Sequence, residues 1–173
     1  DVPLFIKRKI KTVPGSIKSG LANIMINICE LQKKDTILDP ACGSGMIAIE
    51  SLNITNKVYA NDHDKEILEI AKNNAISKNK NIEFSNYDIK KSKFENDTFD
   101  KIICNLPFGK QVEKQPDFIK DFIHELKRIS KNKSKWVLLT KDTDEIKKYI
   151  DIQKEIEIIN SGLKSKLIII NNK

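Results

Sequence analysis

The sequence predicts an α/β fold in which a mostly parallel, seven-stranded sheet carries helices on both faces and ends in an antiparallel hairpin. Short apolar runs alternate with segments of helical periodicity, which is typical of a parallel sheet with crossover helices. The last two runs are separated only by residues 159–165, which contain Ser161 and Gly162 and are too short for a helical crossover. At 173 residues the chain suits one core, so we expect a single domain.

The first predicted element is a helix over residues 16–31, where Ser16 is the expected N-cap. Its apolar residues recur at helical spacing: Ile17, Leu21, Ile24, Ile28 and Leu31. The predicted strands follow at 36–39, 57–61, 82–85, 99–105, 135–140, 152–159 and 166–171. The helices between the first five strands are predicted at 45–52, 64–77 and 116–130, with a turn or short irregular helix at 86–98. Asp64 is the expected N-cap of the helix that follows it.

Composition excludes several classes of protein. No run approaches the roughly 20 apolar residues of a membrane span, and residues 1–15 lack the apolar core of a signal peptide. Cys29, Cys42 and Cys104 are far apart and His63 and His124 are isolated, so neither a disulfide framework nor a metal site is predicted. We therefore expect a soluble, cytoplasmic protein without a membrane partner or a metal.

The net charge of +7 is concentrated at the two ends of the chain. Residues 1–34 carry seven Lys or Arg against two acids, and residues 110–173 carry fifteen against ten. Clustered cations favour a nucleic-acid partner, although a lysine-rich coding bias explains the same composition. The basic stretch 127–135 is predicted to be a solvated helix end and loop rather than an RNA contact.

A glycine motif follows the first predicted strand. Asp39 ends that strand, and Gly43-Ser44-Gly45 leads into a helix whose N-terminus favours a nucleotide-like cofactor. Asp62, at the end of the second strand, is placed to accept ribose hydroxyls. A dinucleotide and S-adenosylmethionine both suit this pattern, and the leading Asp39, which can neutralise an ammonium group, favours S-adenosylmethionine.

The stretch NLPFG follows the fourth strand, at the sheet edge where open α/β proteins bind ligands. The side-chain oxygen of Asn105 and the carbonyl of Leu106 can accept both N–H bonds of an exocyclic amine on a nucleobase. Pro107 fixes the turn, and the ring of Phe108 can stack on a base drawn out of its helix. Orientation and proximity dominate such a reaction, so no strong general base is required.

These motifs resemble those of the class I, Rossmann-like S-adenosylmethionine-dependent methyltransferases that methylate amino groups. The similarity is strongest to the catalytic domain of THUMP-containing RNA guanine-N2 methyltransferases and extends over residues 7–170, from KRKIKTVPGSIKSGLANIMI through DPACGSGMIAIE and NLPFG. Leu106 stands where the wider group usually has proline, and Met46 where threonine is frequent.

The resemblance implies roles for particular residues. Cofactor contacts are expected from Asp39, Ala41, Cys42, Gly43, Ser44, Gly45 and Asn105, with Asp62 at the ribose and Asp88 at the adenine. Catalytic placement is expected from Asn105, Leu106, Pro107 and Phe108. RNA contacts are expected from Lys7, Arg8, Lys9, Lys11 and Lys110.

The predicted function is methyl transfer from S-adenosylmethionine, leaving S-adenosylhomocysteine, to the N2 amine of a guanosine in structured RNA, with tRNA as the favoured substrate. Alternative substrates are ribosomal RNA guanosine, adenine N6 in nucleic acid and a protein glutamine; a non-catalytic RNA-binding module is the alternative of another class. Covalent catalysis by Cys42 or Cys104 is not expected, because neither follows Pro or Thr. We expect a basic linker over residues 1–15, a monomeric methyltransferase domain over 16–173, and a THUMP domain elsewhere in the full-length protein.

Overall fold

The computed structural model describes residues 10–78, 81–106, 117–141, 143–160 and 162–172. In these residues seven strands form one sheet: β1 (Ile37–Asp39), β2 (Val58–Asn61), β3 (Glu83–Ser85), β4 (Phe99–Asn105), β5 (Ser130–Thr140), β6 (Lys154–Asn160) and β7 (Leu163–Asn171). Five helices are α1 (Ser19–Ile28), α2 (Met46–Ser51), α3 (Lys65–Ser77), α4 (Phe118–Ile129) and α5 (Asp144–Lys147). A 3-10 helix, Ile89–Lys91, lies between β3 and β4, where a turn or short irregular helix is predicted.

The strand order is β3-β2-β1-β4-β5-β7-β6. The first five strands pair in parallel, with Ile37 of β1 opposite Val58 of β2 on one side and Lys101 of β4 on the other. β7 lies between β5 and β6 and is antiparallel to both. The predicted mostly parallel sheet with a C-terminal antiparallel hairpin is therefore confirmed.

Side chains of the central strands alternate between two apolar layers. On β5, Val137 and Leu139 pack in the layer that contains α1, α2 and α3, whereas Trp136 and Leu138 pack in the layer that contains α4, α5 and the 3-10 helix. This period of two is what a strand buried on both faces requires. The prediction of helices on both faces is confirmed, and no helix of the described ranges has the length and apolar character needed to cross a membrane.

The helix predicted over 16–31 is shorter in the structure, Ser19–Ile28, and one residue of its predicted apolar face is exposed. The helix begins at Ser19 after Lys18, and no side chain caps it, because the Ser16 hydroxyl bonds to Val13 N–H and to Ser44 instead. Ile24, assigned to the apolar face, is 52% exposed, and the buried face carries Ala22 and Met25.

Of the helix end and loop predicted over 127–135, the helix end is confirmed and the loop is wrong. α4 ends at Ile129 and β5 begins at Ser130, so the basic stretch continues directly from helix to strand. Ser134 in this stretch is buried, and the Lys131 ammonium bonds to Asp100 at 2.9 Å. The short helix α5, between β5 and β6, has no counterpart in the prediction.

The topology brings three strand ends together. β1 lies between β2 and β4, and all three run in the same direction. Their carboxyl ends are Asp39, Asn61 and Asn105. The predicted cofactor and catalytic motifs therefore share one edge of the sheet, the edge at which open α/β folds bind ligands.

Candidate active site

A cavity of about 600 Å³ opens at this edge of the sheet. One wall is the loop after β1, a second is the segment Val13–Ile17 that precedes α1, and a third comes from the ends of β5, β6 and β7. Residues that line it include Asp39, Ala41, Cys42, Gly43, Ser44, Asp62, His63, Asn105, Leu106, Lys141, Asn160, Leu163 and Ser165.

The loop after β1, which we call the glycine loop (residues 40–45), requires glycine at two positions. Gly43 (φ +53°) and Gly45 (φ +83°) adopt the left-handed conformation that other residues rarely adopt. The Gly43 N–H donates to Asp62 Oδ2 at 2.9 Å, whereas a Cβ on Gly45 would lie 3.2 Å from the Ala71 Cβ on α3. Gly43 therefore connects the loop to Asp62, and Gly45 lets the loop approach α3 closely.

The Asp62 carboxylate is held in place on the cavity wall. One oxygen accepts from the Gly43 N–H and the other from the Asp64 N–H at 3.0 Å. The side chain of Asp64 in turn caps α3, as predicted, by accepting from the backbone N–H groups of Glu66 and Ile67. A carboxylate fixed by two backbone donors keeps lone pairs for hydroxyl donors of a ligand.

Asp39 is a buried carboxylate with one unused oxygen. Its Oδ1 has no hydrogen-bond partner within the described ranges, although the residue is only 1% exposed. Burial raises the pKa of the Asp39 carboxyl well above its ordinary value, opposed by the Ala41 N–H and reinforced by the Asp62 charge. A cation placed in the cavity would satisfy this oxygen and stabilise the ionised carboxylate.

Asn105 also presents an unused acceptor. Its Nδ2 donates to the Gly15 carbonyl at 2.9 Å. Its Oδ1 is buried and has no partner in the part of the chain that the structure describes. The amide therefore uses its NH2 group within the fold and leaves its oxygen without a partner, so a ligand that displaces the covering atoms could donate an N–H bond to it.

The rest of the NLPFG motif is described only in part. Leu106 is buried, and its N–H donates to the Leu139 carbonyl at 3.0 Å, which fixes the chain as it leaves β4. Pro107, Phe108 and Lys110 lie outside the described residues, as do Lys7, Arg8 and Lys9. Their predicted roles remain predictions.

The structure gathers most of the predicted cofactor residues but not all. Ala41, Cys42 and Ser44 line the cavity with the residues above. Asp88 does not line it; this exposed side chain caps the 3-10 helix by accepting from the Lys90 N–H. Lys11 is exposed, as an RNA contact would require.

The cysteine side chains are unsuited to nucleophilic catalysis. Cys29, Cys42 and Cys104 are free and buried. Burial raises the pKa of the Cys42 and Cys104 thiols, and the Asp39 charge raises it further; the Cys29 pKa rises to about 12. They are therefore protonated at neutral pH, as expected for small buried thiols. Within the described ranges no group of three or more His, Cys, Asp or Glu is arranged to hold a metal ion.

Sequence reasoning missed Asn61, a buried polar side chain at the end of β2. Its Nδ2 donates to the carbonyls of Pro40 and Tyr87, both at 3.1 Å, and its Oδ1 accepts from the Tyr87 N–H and the Ser85 hydroxyl. It thus ties the glycine loop to the segment after β3. The sequence feature that could have identified Asn61 is its position as a polar residue at the end of a buried strand, next to Asp62.

Sequence reasoning also missed the segment we call the strap, residues 10–17, of which residues 13–17 line the cavity. Val13-Pro14-Gly15-Ser16 forms a turn in which the Ser16 N–H donates to the Val13 carbonyl at 3.0 Å and Gly15 has φ +83°. Pro followed by Gly is the sequence signature of such a turn, and was the available signal.

A comparison with protein families identifies the same region. A family model described as RMKL-like, methyltransferase domain matches residues 7–162. That range contains the strap, the glycine loop and the NLPFG motif.

Similar proteins of known activity modify RNA. The U6 snRNA (guanine-N(2))-methyltransferase THUMPD2 of Bos taurus is 29% identical over 132 residues, 74% of this chain and 26% of that protein. The tRNA (guanine(6)-N(2))-methyltransferase THUMP3 of Mus musculus is 30% identical over 114 residues, 57% of this chain and 23% of that protein. This chain thus spans about a quarter of the length of these relatives.

Solved structures share the fold. TrmN from Thermus thermophilus superposes with a TM-score of 0.84 over 92% of this chain and 50% of its own, at 22% identity. SMU.472, solved as a complex with SAH, gives a TM-score of 0.77 over 98% of this chain and 56% of its own, at 17% identity.

Proposed function

The chain belongs to the RMKL-like methyltransferase domain family, and from this premise we propose that it methylates the exocyclic N2 amine of a guanosine in structured RNA, with tRNA as the favoured substrate. The methyl donor we propose is S-adenosylmethionine. Guanine-N2 methyltransferases acting on tRNA and on U6 snRNA are among its relatives. The observation that carries the proposal is Asn105 Oδ1, a buried acceptor without a partner among the described residues, on a side chain that lines a cavity of about 600 Å³.

The residues of the cavity suit this cofactor. The unpartnered Oδ1 of Asp39 matches its ammonium group, and the fixed carboxylate of Asp62 matches its ribose hydroxyls. The glycine loop offers close backbone approach without a side chain in the way. When bound, the cofactor supplies an electrophilic methyl group on a sulfonium and is released as S-adenosylhomocysteine.

Asn105 is the residue that orients the target amine. Its Oδ1 accepts an N–H bond from the target amine, with the Leu106 carbonyl as the second acceptor, and so directs the nitrogen lone pair toward the methyl donor. The methylated amine loses its proton to water, since the described part of the site offers no strong base beside Asn105. Positioning of this kind can contribute about 7–11 kcal/mol to a barrier.

The third wall of the cavity provides room for the target nucleotide. Lys141 extends from the end of β5, next to the strand that ends in Asn105, and Leu163 on β7 is 54% exposed. A cation and an apolar surface on one wall match the phosphate and the ring face of a nucleotide.

Docking of the whole RNA extends beyond this cavity. We propose contacts from Lys7, Arg8, Lys9, Lys11 and Lys110, and stacking of the target base on Phe108. The length of the relatives supports a further RNA-docking domain, of the THUMP type, in the full-length protein. We also propose that the protein acts as a monomer in the cytoplasm.

Nucleoside mass spectrometry of unmodified tRNA incubated with the protein and S-adenosylmethionine tests the proposal. The expected product is N2-methylguanosine. Asn105→Ala should lower turnover by about a hundredfold or more while the Kd for S-adenosylhomocysteine stays within a few fold. Asn132→Ala, an exposed asparagine near the start of β5 at the opposite edge of the sheet, should change neither quantity.

Three results would count against parts of the proposal. Turnover of Asn105→Ala within a few fold of the unmodified protein would remove the assigned mechanism. A different methylated base would retain the methyltransferase and reject guanosine N2 as the target. Failure of the full-length protein to methylate any RNA would overturn the proposed function.

A further inference from the structure

We infer that Asn74 is a positioning residue that clamps the strap onto the glycine loop and thereby holds the Asn105 amide in its productive orientation. The catalytic part of this inference rests on the function proposed above. Asn74 lies on α3, one turn beyond the Ala71 that packs on Gly45.

Among the described residues, the side chain of Asn74 bonds only to the strap and to the glycine loop. Its Oδ1 accepts from the Lys11 N–H at 2.9 Å, and its Nδ2 donates to the Lys11 carbonyl at 2.8 Å and to the Ser44 carbonyl at 2.9 Å. The side chain is only 3% exposed, so water does not compete for these groups. Only a primary amide combines the acceptor and the two donors that this three-point contact needs.

The clamp at Lys11 determines where the rest of the strap lies. Four residues later Gly15 sits in the tight turn, which is reinforced by the Val13 N–H bond to the Ser16 hydroxyl at 2.9 Å. The Ser16 hydroxyl then donates to the Ser44 hydroxyl at 3.0 Å. Ser44 is therefore held through its carbonyl by Asn74 and through its side chain by the strap, so the strap and the glycine loop form one unit.

The turn presents the Gly15 carbonyl to the Asn105 amide. This bond occupies the NH2 group of Asn105 and leaves its oxygen for the proposed target amine. If the strap moves, the amide loses the acceptor that fixes it and can rotate by half a turn. A rotated amide places donors against the donors of the target amine, which abolishes the required hydrogen bond.

The first test compares Asn74→Ala with Asn73→Ala. Asn73 is the adjacent residue, but it is exposed and its Nδ2 bonds to the Glu69 carbonyl within the same helix. In Asn74→Ala we expect hydrogen exchange of the Lys11 amide to accelerate at least about tenfold. We expect kcat to fall between about tenfold and about a hundredfold, with KM for RNA within about threefold. Asn73→Ala should behave as the unmodified protein does.

Asn74→Ala also removes buried hydrogen bonds, so a second variant is needed that leaves the core unchanged. Ser16→Ala is such a variant. It deletes two strap contacts from a half-buried side chain, and kcat should fall about threefold to tenfold. Because both residues act through one strap, the double variant should lose less kcat than the product of the two single losses. Losses of kcat that multiply would show that Asn74 and Ser16 act independently, which would overturn the proposed action through one strap.

Two further outcomes are decisive. Unchanged exchange at Lys11 in Asn74→Ala would overturn the clamp, and faster exchange with unchanged kcat would overturn the link to Asn105. If the unmodified protein methylates no RNA, the proposed function fails, yet the exchange data and the Kd for S-adenosylhomocysteine still decide whether Asn74 holds the strap.

Discussion

At the scale of single residues, two of the three buried side-chain atoms without a partner in the described ranges belong to this site; the third is Ser130 Oγ. Asp39 Oδ1 and Asn105 Oδ1 have no partner among the described residues, although burying such a group without a hydrogen bond is costly. Both line the same cavity. Their cost to the folded state is consistent with ligand groups that satisfy them only on binding.

Asp39→Asn should raise the stability of the unliganded protein and weaken its binding of the cofactor. Burial places the folded pKa of Asp39 above its ordinary value of 3.8. The neutral carboxyl therefore contributes its full stabilisation below pH 3.8, and the folded protein loses that stabilisation as the pH rises through the folded pKa. Replacing the acid with a neutral amide should therefore stabilise the unliganded protein at neutral pH by about 1 kcal/mol or more. Thermal unfolding measures this change, and Asp151→Asn, at an exposed residue, serves as the control.

The same carboxyl should make cofactor binding depend on pH. A cation bound beside Asp39 favours its ionised form, so affinity for S-adenosylmethionine should rise with pH and binding should release a proton. Calorimetry in buffers of different ionisation enthalpy would detect that proton. Asp39→Asn should weaken binding at least about tenfold and abolish the proton release; an unchanged Kd would contradict the assigned role.

At the scale of secondary-structure elements, α3 is the platform of the site. Asp64 caps its N-terminus, Ala71 receives Gly45 of the glycine loop, and Asn74 holds the strap. One helix thus sets the distance between the cofactor loop and the segment that orients Asn105. A rigid element can impose such a distance, whereas a loop cannot.

Gly45→Ala should destabilise the protein by about 1–3 kcal/mol. An alanine there would adopt φ +83° and place its Cβ 3.2 Å from the Ala71 Cβ, so backbone strain adds to a close contact. Urea denaturation measures the loss. Gly20→Ala is the matched control: Gly20 lies in α1 and its added Cβ would meet nothing within 4 Å, so this substitution should stabilise by about 0.5–1 kcal/mol. Equal effects of the two substitutions would refute the packing argument.

At the scale of the whole molecule, the charge distribution matches the proposed partner. The chain carries 31 Lys and Arg against 24 Asp and Glu. Many of the cations are paired within the fold, for example Lys147 and Lys166 with Glu155, whose pKa these two lysines lower to about 2. Net charge alone therefore does not locate the RNA, and the reason to test Lys141 is its position on the cavity wall.

Lys141→Gln should weaken RNA binding in a salt-dependent way. Removing one phosphate contact should reduce the slope of log Kd against log salt concentration by about one, while the Kd for S-adenosylhomocysteine is unchanged. Filter binding over a range of salt concentrations measures the slope. Lys133→Gln, at an exposed residue near the opposite end of β5, should leave it unchanged. The same slope in both variants would place the RNA elsewhere on the protein.

The sequence by itself determined the fold class and the residues at the strand ends. Short apolar runs, the glycine motif after Asp39 and the NLPFG motif after β4 are local patterns. Such patterns specify the kind and order of elements better than their boundaries, which were wrong for α1 and β5. Asp64 as a helix cap was predictable for the same reason. The roles of Pro107 and Phe108 remain predictions from that pattern.

Only the tertiary structure decided which side chains meet. Gly15 and Asn105 are 90 residues apart, and Lys11 and Asn74 are 63 apart, yet each pair is joined by a hydrogen bond. The insertion of β7 between β5 and β6 and the exposure of Ile24 on α1 likewise depend on packing against the sheet. Local propensity carries no information about such long-range contacts, because they form only when the chain has folded around a common core.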